Sequence, residues 1–287
     1  MKRRPRLPAW LLLSSPAIAL SSILVACLVV LGVFSLFAYV NGSTDTSVTS
    51  LNVWATSLAD PFFWQVFGRT VVVAVAVTVL TVGLGYVTAL ALWRTSNPIV
   101  LSVASVILAA PLVVSIVVRA YGWLLVLGDH GVVNVALQGL GLERAPTRLI
   151  YDYPGVIIAL VQSAAPFAVF PIWASLRQIS TEHLEAASDL GSGRLSTFRR
   201  VVLPLSMNGV IAAAQIVFLF GMGSFVTPIL LGGGRVLLTA ELIFENETNL
   251  NWPLGAVQAI VLITVSLLLV FVANRLAQRV WRLGAAR

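Results

Sequence analysis

The stretch Glu185–Pro204 reads EAASDLGSGRLSTFRRVVLP and differs from the long apolar runs on either side of it. It begins with Glu-Ala-Ala, places Gly191 four residues after the last alanine, and ends in Val-x-Leu-Pro from Val201 onward. Charged and polar residues of this density are not tolerated in the hydrocarbon region of a bilayer. The stretch is therefore predicted to be a structured loop at a membrane surface.

The composition of the whole chain indicates a membrane protein. Of its 287 residues, 59% are hydrophobic and 10% are charged, whereas soluble domains carry about 25% charged residues. The single cysteine, Cys27, has no second cysteine with which to form an intrachain disulfide or a metal cluster. The net charge of +7 does not indicate nucleic-acid binding, because the basic residues are sorted by loop, as topology signals are.

Apolar runs long enough to cross a bilayer predict an all-α membrane protein with six transmembrane helices. The predicted spans are 7–40, 65–94, 99–127, 154–176, 207–230 and 253–280. The first run has an alternative, a cleaved signal, because Leu24–Cys27 is similar to a lipoprotein cleavage box. The run continues for thirteen residues beyond Cys27, which favours an uncleaved span.

The distribution of basic residues predicts the orientation. Six spans place both termini on one side, and cytoplasmic connections are enriched in Lys and Arg. If the loop 177–206 shares the side of the termini, most of the 18 basic residues lie on that side, and the others are Arg69, Arg119, Arg144, Arg148 and Arg235. We therefore predict that the N-terminus, the C-terminus and the loop are cytoplasmic.

Three segments follow from this topology. Residues 1–64 hold a cytoplasmic start, the first span and an outer loop; residues 65–281 form a five-helix transmembrane domain that contains the loop 177–206; residues 282–287 are a cytoplasmic tail. Glycines within the spans allow helices to approach closely, and prolines break or kink them. Although ordinary packing accounts for any one of them, together Pro111, Pro166, Pro171 and Pro228 predict discontinuous helices.

The polar stretch predicts two short helices joined by a tight turn. Thr181 is a suitable N-cap, Gly191 suits a left-handed C-terminal cap, and Ser192 can start a second helix that Pro204 ends before the next span. Without further information, such a segment is equally typical of an amphipathic helix lying on anionic lipid.

The spacing of Glu-Ala-Ala, Gly191 and Val-x-Leu-Pro resembles the EAA loop of ABC importer permeases, with Val201 where that family usually has isoleucine. The resemblance implies the type I ABC importer permease fold and a loop that docks into the ATPase subunit. By position, the implied coupling residues are Glu185, Ala186 and Ala187 in a first helix, Gly191 in the turn, Ser192 to Arg200 in a docking helix with Leu195 or Phe198 as the apolar plug, and Leu203 and Pro204 at the end of the motif.

The chain has no nucleotide site of the P-loop kind. That loop needs Gly-Lys-Ser/Thr, and the only lysine is Lys2, so Gly232–Arg235 is interpreted as an outer turn. The chain is thus predicted to be a non-enzymatic transport subunit that binds no cofactor or metal, while a partner uses ATP and Mg²⁺. The resemblance implies a bacterial inner-membrane protein whose partners are an ATPase dimer, a second and different permease subunit, an extracytoplasmic solute-binding protein and the lipid bilayer, but no nucleic acid.

Two further segments resemble the spermidine/putrescine branch of these permeases: 119–131 and 223–233, although Ser224 stands where some members have an acidic residue. The branch also includes permeases for opines and other small organic solutes, and an anion is a further alternative. Candidate residues of the substrate path are Arg119, Tyr121, Trp123, Asp129, Ser224 and Glu241. The alternatives are a helix-pairing or snorkelling arginine, interfacial aromatic anchors, and solvated acidic side chains.

Two other classes fit the sequence less well. A membrane hydrolase would need Ser224 near a histidine, but His183 lies in the inner loop and Ser224 toward the outer half of the predicted fifth span. An ion-coupled transporter would need acidic residues in the middle of a span, and the predicted spans have none.

Overall fold

The computed structural model describes residues 9–40, 42–141, 149–189 and 191–285. The chain separates into two compact units, Met1–Asp60 with Ile243–Val261 and Pro61–Leu242 with Leu262–Arg287. Both units are built mainly from helices. The predicted boundaries at residues 64, 65 and 281 stay a prediction.

The smaller unit contains α1 (Ala9–Phe34), α2 (Asn52–Ala59) and a β-hairpin that the sequence analysis did not predict. Strand β1 (Phe37–Val40) pairs antiparallel with β2 (Ser43–Thr49). The predicted first span continues to residue 40, but its helix ends at Phe34 and the hairpin follows. In β2, the hydroxyl and backbone N–H of Ser47 donate to the Asp45 carboxylate and lower its pKa. The hairpin is held further by the Tyr39 hydroxyl, which donates to the carbonyl of Asn249 at 3.4 Å.

The larger unit contains both long apolar helices and short ones. They are α3 (Pro61–Arg94), α4 (Pro98–Val113), α5 (Ile116–Leu127), α6 (Val132–Gly139), α7 (Tyr153–Leu176), α8 (Thr181–Asp189), α9 (Arg194–Thr197), α10 (Leu203–Met222) and α11 (Val226–Gly232). Capping explains two of the starts: Asn97 accepts from the N–H of Ile99 ahead of α4, and Asp152 accepts from the N–H of Tyr153 ahead of α7, each with a proline in the first turn. Helices α12 (Thr239–Thr248) and α13 (Trp252–Ala285) contribute to both units.

The core lies where α3, α7 and α10 pack against one another. Small residues let the three helices approach closely, because a Cβ atom added to Gly85 would lie 2.9 Å from Ala168 Cβ, and one added to Gly221 would lie 3.0 Å from Ala74 Cα. Buried apolar side chains fill the rest of this contact, among them Val77, Leu160, Ile172 and Val217.

Within the described residues, five stretches are long and apolar enough to cross a membrane: Pro61–Arg94, Ile116–Gly139, Tyr153–Leu176, Arg194–Met222 and Trp252–Leu276. The predicted third span is wrong as a continuous helix, because the backbone is extended at Val114 and Ser115 between α4 and α5. The predicted fifth span, 207–230, also differs from the structure. The helix begins at Arg194 and ends at Met222, and the separate helix α11 follows it. The count of six spans and the location of the termini stay predictions.

The helices are discontinuous as predicted, but the prolines are not the cause. Pro111 lies inside α4, and Pro166 and Pro171 lie inside the unbroken α7. Pro228 lies in the first turn of α11. Backbone N–H groups in a first turn have no acceptor within the helix, so the N–H that proline lacks costs no hydrogen bond there. Both breaks lie instead at short segments without proline, 114–115 and 223–225.

Candidate functional site

Helix α8 carries the Glu-Ala-Ala sequence on an open surface. Glu185 and Ala186 are exposed, whereas Leu184 and Ala187 are half-buried on the opposite side, and Leu184 packs against the hydrophobic core. The predicted N-cap Thr181 is itself helical, and the hydroxyl of the preceding Ser180 lies 2.5 Å from Nδ1 of His183. The helix therefore presents a small, acidic face that permits close approach by a partner.

The predicted left-handed turn at Gly191 is confirmed, with φ at +71°. The N–H of Ser192 donates to the carbonyl of Ala187 at 3.0 Å, the six-to-one bond of a Schellman cap. A side chain at position 191 would meet no atom within 4 Å. Glycine is therefore required here for its backbone conformation, not for space.

The second helix differs from the prediction in its start and its end. It begins at Arg194, after an extended Gly193, so Ser192 belongs to the turn. It then continues through the π-helical turn Phe198–Val202 directly into α10. Pro204 does not end it: proline cannot donate an N–H and its ring crowds the preceding turn, and a widened π turn accommodates both effects.

Phe198 and Leu195 point to different surroundings. The ring of Phe198 packs edge-to-face against Tyr86 of α3, with centroids 6.0 Å apart, and the Tyr86 hydroxyl lies 3.0 Å from the Ser206 hydroxyl of α10. Phe198 is half-buried and its ring contacts its own chain, so its role as the apolar plug stays a prediction. Leu195 is 64% exposed and remains available.

A cavity of about 530 Å³ lies between this loop and the end of α3. Its walls include Trp93, Arg94, Leu184, Arg194 and Phe198. The loop thus rests on α3 at Phe198 and on the core at Leu184, while the face that bears Glu185 stays open. Leu203 and Pro204 are half-buried where α10 begins.

The substrate-path candidates come from four elements. Arg119, Tyr121 and Trp123 lie on α5, Asp129 follows α5, Ser224 lies between α10 and α11, and Glu241 lies in the first turn of α12. Helices α5 and α11 pack against each other. Tyr121 is 56% exposed, whereas the Trp123 indole N–H donates to the Gln162 amide oxygen at 3.5 Å. The Ser224 hydroxyl donates to the carbonyl of Phe220 at 2.7 Å.

Two of these residues, Glu241 and Arg119, are more buried than the sequence analysis indicated. Glu241 is only 4% exposed, so the interpretation as a solvated acidic loop residue is wrong for it, although Asp129 is exposed. Arg119 is half-buried, and its Nε and Nη1 atoms are buried without a hydrogen-bond partner among the described residues. Those two nitrogens do not snorkel to water.

Replacing Arg119 with methionine tests whether this arginine serves the fold or a partner. Removing buried donors that lack acceptors is neutral or stabilising when an apolar side chain of similar length takes their place. We expect the melting temperature of the detergent-solubilised chain to stay the same or to rise, because the substitution removes two buried donors that lack acceptors among the described residues. Arg69→Met is the control, and a lower melting temperature for Arg119→Met alone would contradict the expectation.

Several contacts that position the site carry no sequence motif. Tyr86 and Ser206 are 120 residues apart, and Thr70 and Thr239 join α3 to the start of α12 with their hydroxyls 2.9 Å apart. The N–H of Thr239 also donates to the Thr70 hydroxyl. Polar residues such as Tyr86 and Thr70 within an apolar run are the only sequence signal that could have indicated them.

Sequence comparison identifies close relatives across most of the chain. It is 33% identical over 228 residues to the spermidine/putrescine transport system permease protein PotB of Haemophilus influenzae, which covers 78% of this chain and 79% of that protein. It is 34% identical over 228 residues to PotB of Escherichia coli strain K12, with 78% and 82% covered. A sulfate transport system permease protein, CysT of Salmonella typhimurium, matches at 31% over half of the chain.

The fold is similar to that of solved importers. A bacterial ABC transporter involved in the import of the acidic polysaccharide alginate matches 94% of this chain and 96% of its own, with a TM-score of 0.69 at 18% identity. An amino acid ABC transporter matches 82% of this chain and 99% of its own, with a TM-score of 0.52 at 16% identity. These similarities establish the type I ABC importer permease fold.

The family model that matches residues 82–282 describes the binding-protein-dependent transport system inner membrane component. That range includes α8, the Gly191 turn and the helix that follows. Members are transport components of ABC importers and are not themselves enzymes. The chain belongs to this family and is an inner-membrane permease component of an ABC importer.

Proposed function

We propose that this permease component imports a polyamine such as spermidine or putrescine. The observation that carries the proposal is the 33–34% identity to two spermidine/putrescine permeases over 228 residues. The exposed Tyr121 and Asp129 are consistent with it, because an aromatic face and a carboxylate both attract ammonium groups.

One observation favours a second candidate. The buried nitrogens of Arg119 have no acceptor among the described residues, and a solute that carries a carboxylate would supply one. An opine has both amino and carboxylate groups, so it satisfies Arg119 as well as Asp129. An opine, another small organic solute or an anion is therefore the alternative cargo.

The proposed coupling element is α8 with its Gly191 turn. The exposed Glu185 and Ala186 would face a groove on the ATPase subunit, and the exposed Leu195 would fill an apolar pocket there. Closure of an ATPase dimer with bound ATP and Mg²⁺ would then push α8. The contacts of Leu184 and Phe198 would carry that displacement into the core and α3.

The proposed assembly has four kinds of protein besides lipid. This chain and a different permease form the membrane part, two ATPase subunits bind beneath them, and a solute-binding protein delivers the cargo from outside. Alternating access then takes the solute past α5 and the break near Ser224. The chain itself is proposed to bind no cofactor.

The cargo is tested by reconstituting the complex with its binding protein and measuring ATP hydrolysis. Spermidine and putrescine are expected to stimulate hydrolysis and to accumulate in the vesicles, whereas an opine or sulfate is not. If only an opine stimulated ATP hydrolysis, the proposed cargo would change from a polyamine to an opine. The assignment of the chain as a permease component would not change.

Changing Glu185 to lysine tests the docking face. Glu185 is exposed on α8, so the substitution should leave insertion and melting temperature unchanged, while reversal of a charge within an interface weakens binding by several kcal/mol. We expect solute-stimulated ATP hydrolysis by the assembled complex to fall at least about tenfold. Glu245→Lys, an exposed glutamate in the predicted outer region, is the control and should retain full coupling.

A further inference from the structure

A cavity of about 630 Å³ lies at one end of the larger unit, where α3, α4 and α7 meet. It is distinct from the cavity of about 530 Å³ that lies between the loop 177–206 and the end of α3, although Trp93 lines both cavities. Arg177 and Trp173 form one wall at the end of α7, and Ser102 and Ser105 lie one helical turn apart on α4. The cavity therefore combines a cation, hydroxyls and aromatic rings.

Its polar groups are free to bind a ligand. Among the described residues, the hydroxyls of Ser102 and Ser105 and the guanidinium of Arg177 have no hydrogen-bond partner. The guanidinium carbon of Arg177 lies 5.3 Å from the centre of the Trp173 ring, which orients the charge by a cation–π contact. An arginine pairs strongly with phosphate oxygens, and hydroxyls lining the same cavity can donate further hydrogen bonds to them.

The other walls of the cavity are apolar. Leu92, Pro98 and Leu101 line it, and no residue of α4 is buried, although the structure describes that helix completely. Helix α4 therefore exposes apolar side chains along its length next to the polar end of the cavity. Such a surface suits an acyl chain, and tryptophans such as Trp93 and Trp173 are typical of the membrane interface.

We propose that this cavity binds an anionic phospholipid of the cytoplasmic leaflet, with the phosphate at Arg177, Ser102 and Ser105 and an acyl chain along α4. Basic pockets between transmembrane helices on the cytoplasmic side are suited to such headgroups. The side of the membrane rests on the predicted cytoplasmic location of the loop 177–206, which the proposed function also uses. The lipid site does not depend on which cargo is transported.

Native mass spectrometry of the full-length chain tests the site. The chain is titrated with phosphatidylglycerol or with phosphatidylcholine, and retained lipids are counted. We expect the chain to retain phosphatidylglycerol in preference to phosphatidylcholine. The substitution Arg177→Gln should weaken the tightest binding of phosphatidylglycerol about five- to tenfold. Arg275→Gln is the matched control, because Arg275 is also an exposed arginine over an aromatic ring, 5.1 Å from the centre of Phe271, but does not line the cavity.

Three results would overturn the proposal: equal losses in the two arginine variants, equal retention of the two lipids, or displacement of the lipid by millimolar glycerol phosphate, which would identify a site for a free phosphate. A second variant, Ser102→Leu, fills the cavity from an exposed position and is expected to reduce phosphatidylglycerol retention without changing the charge.

Discussion

Leucine in place of Gly209 is expected to prevent α7 and α10 from packing and so to abolish accumulation of the folded permease. A Cβ atom at position 209 would lie 2.6 Å from the carbonyl oxygen of Pro171, 2.6 Å from Ser175 Cβ and 3.1 Å from Ile172 Cα. Backbone surrounds this position, so no side-chain rotation relieves the contact. We expect a cost of at least about 3 kcal/mol, the upper end of measured overpacking effects.

The matched control is Gly83→Leu. Gly83 also lies within a long apolar helix, α3, but it is exposed and its added Cβ would meet no atom within 4 Å. Fluorescence-detected size-exclusion chromatography of the detergent-solubilised chains compares the two. A monodisperse Gly209→Leu peak of wild-type height would show that the two helices do not cross as closely as the structure has them.

Valine in place of Gly191 is expected to uncouple ATP hydrolysis from transport while the chain still inserts and folds. The turn has a φ of +71°, which an L-residue adopts at a cost of about 1–2 kcal/mol, and a β-branched residue adopts least readily. Space is not limiting, since a Cβ would contact nothing within 4 Å. The turn should therefore reopen and move α8 from its docking position.

Gly193→Val provides the control for this turn. Gly193 is also exposed, and its Cβ would also meet nothing within 4 Å, but its φ of −67° suits any residue. We expect uptake by the reconstituted complex to fall at least about tenfold for Gly191→Val and to stay near wild type for Gly193→Val. Equal activity of the two variants would exclude a role for the left-handed turn in coupling.

The sequence was sufficient to predict the parts of the molecule that depend on local chemistry. The apolar runs indicated the long helices, and Gly191 indicated the left-handed cap because few other residues adopt that conformation. The EAA spacing indicated the family because several positions must agree over a long interval. In each case the signal lies in a short stretch of chain and does not depend on distant packing.

Features that depend on contacts between distant residues were not predictable in the same way. The ring contact of Phe198 with Tyr86 could not be predicted because the two residues are 112 positions apart in the sequence. Pro204 looked like a helix end because a π turn has no sequence signature that distinguishes it from a break. Glu241 was interpreted as a loop charge, yet tertiary packing buries it.

Continuity between the loop and α10 has a mechanical consequence. Because the helix runs from Arg194 through the π-helical turn to Met222 without a loop, we expect a displacement of the Arg194 end by a docked ATPase to be transmitted along α10. The Met222 end adjoins Ser224 and α11, which packs against the helix of Arg119. The proposed coupling therefore needs no additional relay between the loop and the substrate-path candidates.

Cross-linking from α8 tests directly whether this helix docks on the ATPase subunit. In a chain with Cys27→Ser, which removes the exposed native thiol, a cysteine at the exposed Ala186 is treated with a short bifunctional reagent in membrane vesicles that contain the whole transporter. We expect a cross-link to the ATPase subunit that depends on ATP, and none from a control cysteine at the exposed Val106 of α4. Labelling of the Ala186→Cys thiol by a membrane-impermeant reagent in intact cells, with no cross-link to the ATPase, would contradict it.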